Sequence, residues 1–356
     1  MATDARRTVA EDDRQAIRIA LAGAGGLGSR FLQLLDEVGP RLRAEFGWSL
    51  RVVAAADSGG WVAAPGGLVT KEVLAAKRRS GSVGTVPEGG HLGSRALEMV
   101  QIVDYDVLCE ATPVHLSAGA EPGLSHVRAA LRRGRHVVTP NKGPIVLAWD
   151  ELHQLAKTHG AALRFDGTVA GGLPALYTGS RDLRGAIIDR IEAVPNLTTG
   201  IVLERLGDGL SWEDAVEGVR RQGALEADPT WDLDGWDAAA KLVILVRAVL
   251  REEASLGDVE RCGIRDVSAS DVIAARRSNE TLRLVACAER RGSGLRLSVR
   301  PTRLSAAHPL GRLGRDGMGV VYHTDIFGSI TLTIAEPTPL PSAATMLRDI
   351  LDIYVR

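Results

Sequence analysis

The pattern of apolar and polar positions changes character halfway along the chain. In the first half, short apolar runs alternate with stretches of helical period. Residues 17–21 (IRIAL) form one run, and Leu32, Leu35 and Val38 then recur on one helix face. A second run, 50–55, ends at Asp57, and residues 39–48 between them read as a loop extension. Residues 61–95 are polar and glycine-rich with a basic helical piece at 71–79, and they read as a solvated insertion. The alternation then resumes with a strand at 106–110, a helix at 124–133 and a strand at 136–138. A helix runs from Pro144 through Leu152 and Leu155, and a strand occupies 162–165.

Beyond Asp166 the glycine-rich stretch GTVAGGLPAL leads into a different order of elements. Residues 187–194 are strand-like, and Ser211 with Asp214 three residues on marks a helix start. Asp234-Gly235 is a turn, followed by a helix with Leu242, Leu245, Val246 and Val249 on one face. Two hairpins follow, 282–288 with 295–300 around Gly292-Ser293-Gly294, and 320–324 with 330–334 around Phe327-Gly328. Residues 343–354 read as a closing helix. These patterns predict an α/β chain: a doubly wound parallel sheet, then an α+β substrate and dimerisation domain. The expected division is a flexible tail at 1–16, a dinucleotide-binding domain at 17–166 with 342–356 packing back on it, and a catalytic domain at 167–341.

The first strand runs directly into Gly23-Ala24-Gly25-Gly26-Leu27-Gly28 and then a helix. A G-x-G-x-x-G turn between strand and helix lets the backbone approach a pyrophosphate and aims the helix N-terminus at its charge. This is the Rossmann-type arrangement, and it makes Gly23, Gly25, Gly26, Leu27 and Gly28 the expected cofactor cradle. Asp57, at the end of the second strand, is placed for the adenosine ribose and favours NAD. Ser58 beside it tolerates a phosphate and Arg30 can reach one, so NAD and NADP both stay open. Thr112-Pro113 and Lys142 also fall at carboxyl ends of strands, where ligands of such sheets bind. His115 and His136 lie nearby and read as structural.

Composition narrows the field. Of 356 residues, 43 are basic and 44 acidic, a net charge of −1, which gives no electrostatic case for nucleic acid. Cys109, Cys262 and Cys287 have no metal-ligand spacing and are odd in number. No apolar run reaches the length of a membrane span, and the polar N-terminus lacks an apolar signal core. A cytoplasmic protein is expected.

Residues 223–250 hold the candidate chemistry. Glu226, Asp228, Asp232 and Asp237 precede a single lysine, Lys241. Asp237 and Lys241, four apart, share a helix face. A lysine held by carboxylates at the head of an apolar helix is placed to move protons. The same spacing also suits an ordinary surface ion pair.

The order of several segments resembles the homoserine dehydrogenase family. They are GAGGLG, ADS at 56–58, TPNK at 139–142, TVAGGLP at 168–174, G-x-x-E-x-D-P at 223–229 and D-x-D-G-x-D-x-x-x-K at 232–241. The resemblance covers most of 17–250. It implies NAD(P)-dependent interconversion of L-aspartate 4-semialdehyde and L-homoserine, in the aspartate pathway toward threonine and methionine. It further implies that Lys142 and Lys241 are the catalytic lysines and that Glu226, Asp232 and Asp237 bind or orient a small amino-acid substrate. Thr198 lies in a segment that lines the family's active site. The substrate carboxylate would take Lys142 or a backbone amide near Gly171 and Gly172. Some members bind sodium or potassium through backbone oxygens at the segment matching 166–171, and some carry a regulatory domain for which this chain has no room. No metal ligand is assigned. A homodimer is the default expectation.

Three places depart from the family. N-G-T-x-N is here Asn196-Leu197-Thr198-Thr199-Gly200, the glycine-alanine turn near the C-terminus is Ala335-Glu336-Pro337-Thr338-Pro339-Leu340-Pro341, and a frequent tyrosine before the glutamate is Leu225. These leave room for a related enzyme acting on a different small hydroxy or amino acid. A third reading is a nucleotide-binding sensor without catalysis, against which the kept lysines and carboxylates stand.

Overall fold

Five short parallel strands make the centre of the first sheet: β1 (Ala16–Ala22), β2 (Ser49–Asp57), β5 (Val107–Glu110), β6 (His136–Val138) and β7 (Leu163–Arg164). They lie in the order β2-β1-β5-β6-β7. β3 (Gly60–Ala63) and β4 (Gly90–Leu92) extend it antiparallel beyond β2. The strands are apolar runs because helices cover both faces of a sheet of this type. Helices α1 (Gly26–Phe46), α2 (Thr70–Ser80), α3 (Ala96–Ile102), α4 (Gly123–Arg132), α5 (Lys142–Leu147) and α6 (Trp149–Thr158) belong to this unit. The computed structural model describes residues 16–221, 229–292 and 294–355. It divides into Met1–Gly167 with Pro339–Arg356, and Thr168–Thr338.

Three expectations for this unit are corrected. Residues 39–48 are not a loop: α1 runs through Pro40 to Phe46, because Leu35, Leu42 and Phe46 continue its apolar face into the core. The insertion at 61–95 is not simply solvated. It adds two strands and α2 to the sheet edge, burying Trp61, Val62, Val73 and Val83. The helix expected from Pro144 is two helices. Asn141 caps the first by accepting the Gly143 N–H, and the chain breaks at Ala148 and restarts with Trp149 stacked on His153.

The closing helix α11 (Leu340–Tyr354) returns to the first unit. Its Ala343, Met346, Leu347 and Ile350 share one core with Ile17, Ile19, Leu21, Phe31 and Leu35. Arg348 pairs with the buried Asp166, and the Asp166 N–H donates to Asp349.

The second unit is built on a mixed sheet ordered β13-β12-β8-β10-β11-β9. Its strands are β8 (Ile188–Val194), β9 (Val259–Arg261), β10 (Glu280–Arg291), β11 (Gly294–Ser305), β12 (Gly317–Thr324) and β13 (Gly328–Ala335). All neighbours are antiparallel except β9 with β11. Against it stand α7 (Leu197–Gly207), α8 (Trp212–Arg221), α9 (Trp236–Leu245) and α10 (Ala269–Arg277). α9 is apolar on nearly every side, as a helix enclosed by protein must be. Among the described residues no helix is long and apolar enough to cross a membrane.

Candidate functional site

In the first unit the glycine loop is shaped from both sides. The Gly23 and Ala24 N–H groups donate to the Ala56 carbonyl, tying the loop to the end of β2. Gly23 has φ +108°, and a Cβ there would lie 2.4 Å from the Ala111 carbonyl oxygen. On Gly28 it would lie 2.0 Å from the Gly23 oxygen. A methyl on Gly25 or Gly26 would meet no protein atom within 4 Å. That open side faces the first turn of α1, whose leading N–H groups have no acceptor within the helix. Gly25 provides no side-chain cap for them. Leu27 packs against the core and fixes the turn from behind. The loop therefore fits a dinucleotide pyrophosphate: space where a Cβ would stand, and a 21-residue helix aimed at it.

Asp57 has a more occupied carboxylate than its sequence position suggests. Oδ1 accepts from Gly59 N, Gly60 N and Ser82 Oγ at 2.8, 3.2 and 2.9 Å. Oδ2 accepts from Lys77 Nζ and Val83 N, each at 2.8 Å. Two carboxylate oxygens offer about four lone-pair sites, so a ribose hydroxyl meets Asp57 only by displacing one of these donors. Burial pushes this carboxyl up. The Lys77 ammonium, the Val83 and Gly59 amides and the Ser82 hydroxyl outweigh it and hold the group below the usual range. Ser58 beside it is exposed. Arg30, the other expected phosphate contact, makes a two-pronged pair with Glu37, both contacts at 3.0 Å.

At the ends of β5 and β6 a buried residue that sequence reasoning missed organises the loops. Glu110 is fully buried. It accepts from the Thr112 N–H and hydroxyl, and from the Thr139 hydroxyl at 3.3 Å. The Thr139 hydroxyl in turn accepts the Asn141 N–H, and Asn141 Nδ2 donates to the Thr112 carbonyl. This closed circuit fixes Thr112-Pro113 against the 139–142 loop, and so places half-buried Lys142 at the head of α5. His126 Nδ1 lies 3.6 Å from Glu110. An acidic residue ending a strand of apolar neighbours was the only available signal. His136 Nδ1 accepts the Ala162 N–H, in keeping with a structural role.

In the second unit the carboxylate and lysine cluster assembles at the head of α9. Gly235, at φ +81°, lets the chain turn into the helix. Lys241 Nζ lies 2.8 Å from Asp237 Oδ2 and donates to the Pro195 carbonyl at 2.7 Å. Its side chain is only 15% exposed, and that of Asp237 8%. This is not the solvated ion pair that the spacing alone allowed. Asn196 Nδ2 bridges Asp232 Oδ1 and Asp237 Oδ2 at 2.7 and 2.6 Å. Asp232, Asp237 and Lys241 are thus brought together by a residue that sequence reading singled out only as part of an altered motif. Thr198 is buried in the first turn of α7. Glu226, with Asp228, lies outside the described residues.

Two of the departures, Gly200 and Glu336, have local explanations, while Leu225 lies outside the described residues. Gly200 packs against Arg283, whose Nη1 would lie 3.2 Å from a Cβ at that position. Arg283 is buried and donates to the Leu313 carbonyl and Glu204. Position 200 thus faces the sheet. Gly171 and Ala170 both adopt positive φ, at 55° and 53°. The neighbouring Gly172 N–H donates to Glu336 Oε2 at 3.1 Å. That amide, one of two donors expected for a substrate carboxylate, is held by the residue that replaces the family's glycine turn. Among the described residues no group of three or more histidine, cysteine or acidic side chains could hold a metal ion.

Comparison with known proteins agrees with both units. Residues 23–166 match the model for the homoserine dehydrogenase NAD-binding domain, and residues 174–351 the model for homoserine dehydrogenase. The NAD(+)-dependent homoserine dehydrogenase of Pseudomonas canavaninivorans is 32% identical, over 95% of this chain and 96% of its own. A putative homoserine dehydrogenase structure from Archaeoglobus fulgidus superposes with a TM-score of 0.84 at 31% identity, covering 95% of this chain and 99% of that one. A hyperthermophilic archaeal homoserine dehydrogenase in complex with NADPH superposes with a TM-score of 0.81 at 28% identity, covering 95% and 97%. The chain belongs to the homoserine dehydrogenase family, NAD(P)-dependent oxidoreductases that act on a CH–OH group.

Proposed function

We propose that this protein interconverts L-homoserine and L-aspartate 4-semialdehyde with NAD(P), with Lys241 moving the proton. The observation that carries this reading is the Asp237–Lys241 pair at 2.8 Å, largely withdrawn from water at the head of α9. Oxidising the alcohol removes a hydride from carbon and a proton from oxygen. A bound nicotinamide accepts the hydride. The protein's part is to hold the carbon chain, orient the hydroxyl and take the proton.

Asp232 and Asp237, with Glu226 of the same segment, are the groups that would receive the substrate ammonium. Asp232, Asp237 and Lys241 together carry one net negative charge, which suits a cation. Lys241, directed by Asp237 and the Pro195 carbonyl, takes the hydroxyl proton as the neutral amine, having first released a proton to solvent, and as the ammonium returns it in the other direction. Lys142, at the head of α5, is the second lysine and serves the cofactor side through the loop that Glu110 secures. Gly23, Gly25, Gly26 and Gly28 cradle the pyrophosphate, and Thr112-Pro113 borders the cofactor's path over the strand ends. The Gly172 amide is already used by Glu336, which makes it a poor donor for the substrate carboxylate. A different hydroxy or amino acid is not favoured, because the family match spans both units and position 200 faces Arg283. A homodimer, work in the cytoplasm and a role in threonine and methionine synthesis remain part of this proposal.

The test is absorbance of the reduced nicotinamide when purified protein is given L-homoserine with NAD+ or NADP+ at mildly alkaline pH. Reduction dependent on homoserine is expected with at least one of the two. Cofactor binding without reduction of either would overturn the substrate assignment.

A further inference from the structure

Asn196 stands where the architecture of the second unit meets its chemistry. Its carbonyl oxygen accepts the Thr199 N–H at 3.0 Å and so caps α7. Its two amide hydrogens go to two different carboxylates, Asp232 at 2.7 Å and Asp237 at 2.6 Å. A primary amide has one acceptor and two donors of this kind, and here each is directed at a partner. The amide cannot be reversed, because Thr199 needs an acceptor and the carboxylates need donors. Asp237 Oδ2 also carries the Lys241 ammonium, and Lys241 donates to the carbonyl of Pro195, the residue next to Asn196. Asn196, Asp237, Lys241 and Pro195 thus close a ring.

Two carboxylates sharing one amide nitrogen are near enough to repel each other. A neutral double donor between them stabilises both at once. Asn196 and Asp237 are each 6% exposed, so water is poorly placed to take over.

We propose that Asn196 is the positioning residue of this cluster: its amide sets the spacing of Asp232 and Asp237 and, through Asp237 and the Pro195 carbonyl, the direction of the Lys241 ammonium. This deepens the proposed function and rests on it for the cluster's role in binding and proton transfer. A plain capping role would need only the Thr199 contact, and any good N-cap would supply that.

Asn196→Ser separates the two, because serine caps a helix about as well as asparagine but cannot span two carboxylates. The variant should lose about tenfold or more in kcat/KM for L-homoserine, with the cofactor KM within about twofold of wild type. A second readout needs no substrate. Thermal midpoints are compared for wild type, Asn196→Ser, Asp232→Asn and the double variant. Asp232→Asn removes one of two facing charges and brings a new amide, so it should raise the midpoint of Asn196→Ser while failing to raise that of wild type. If Asn196→Ser does not fold, a folded double variant supports the clamp, and an unfolded one overturns it. Strictly additive midpoints, or an unchanged kcat/KM in Asn196→Ser, would also overturn it. Absence of wild-type turnover on L-homoserine would count against the proposed substrate, and the thermal cycle alone would then decide the clamp.

Discussion

Replacing Lys77 by alanine probes how the edge insertion serves the cofactor unit. Lys77 Nζ meets Asp57 Oδ2 at 2.8 Å and also donates to the Gly81 carbonyl. The Asp57 side chain is 4% exposed and that of Lys77 27%. Two unit charges near 4 Å attract by about 4 kcal/mol in the effective dielectric of such a site. Desolvation and the ordering of a long side chain return much of that. Four other donors still hold Asp57, so the net loss at neutral pH should be about 2 kcal/mol. For a unit of this size that lowers Tm by about 4–8 °C. The sign with pH is fixed by the lowered carboxyl of Asp57. Its stabilisation is present above about pH 4, its unfolded value, and is lost as pH falls through the folded value. The gap between variant and wild type should therefore narrow in acid. The variant also opens one acceptor site on Oδ2, beside the one Val83 N keeps, and removes a positive charge, so the ratio of kcat/KM for NADP+ over NAD+ should fall several-fold. Calorimetry across pH and initial rates with both cofactors are the assays. A Tm within about 1 °C of wild type at neutral pH, with an unchanged cofactor ratio, would refute the reasoning.

Other parts of the account can be checked as directly. Gly26→Ala places a methyl where no protein atom lies within 4 Å, so it should fold normally and raise the cofactor KM about tenfold. Gly28→Ala collides with the Gly23 carbonyl and should lower Tm; similar behaviour of the two in both assays would contradict the cradle. Glu110→Ala strands the Thr112 N–H and should cost about 2 kcal/mol in denaturant titration and weaken NAD(P)H binding, whereas Glu110→Gln, which keeps an acceptor, should lose far less. Burial chiefly holds His136 below its ordinary value, so its neutral form is favoured on folding and stability should decline as pH falls below about 6.5. His136→Asn, which keeps an acceptor for Ala162, should flatten that part of the stability profile, and an unchanged slope would place its origin elsewhere.

Much of the fold could be read from period alone. Short apolar runs alternating with helical stretches specify a parallel doubly wound sheet, and paired strands around Phe327-Gly328 specify a hairpin. Reading failed where a local signal competed with burial that only the folded chain reveals. Residues 39–48 read as a loop extension, yet Leu42 and Phe46 had a core to reach and α1 continued. The polar composition of 61–95 masked Trp61 and Val62, which are buried in β3 between β2 and β4. The chemistry shows the same division. Asp237 and Lys241 were legible as a spaced pair, because four residues is a helix turn. Asn196, Glu110 and Lys77 were not legible in these roles. Each acts on a residue 20 or more positions away, and only the fold sets that separation.

The central claim is that Lys241 moves the proton while taking no part in holding the cofactor. Its most direct test is Lys241→Met, with turnover of L-homoserine and NAD(P)H affinity measured on the same preparation. The account predicts a fall in kcat of about a thousandfold or more, with cofactor affinity close to wild type and a Tm lowered by some degrees, because the buried Asp237 loses its ammonium. A variant that keeps a substantial share of wild-type turnover, or loses cofactor binding along with it, would contradict it.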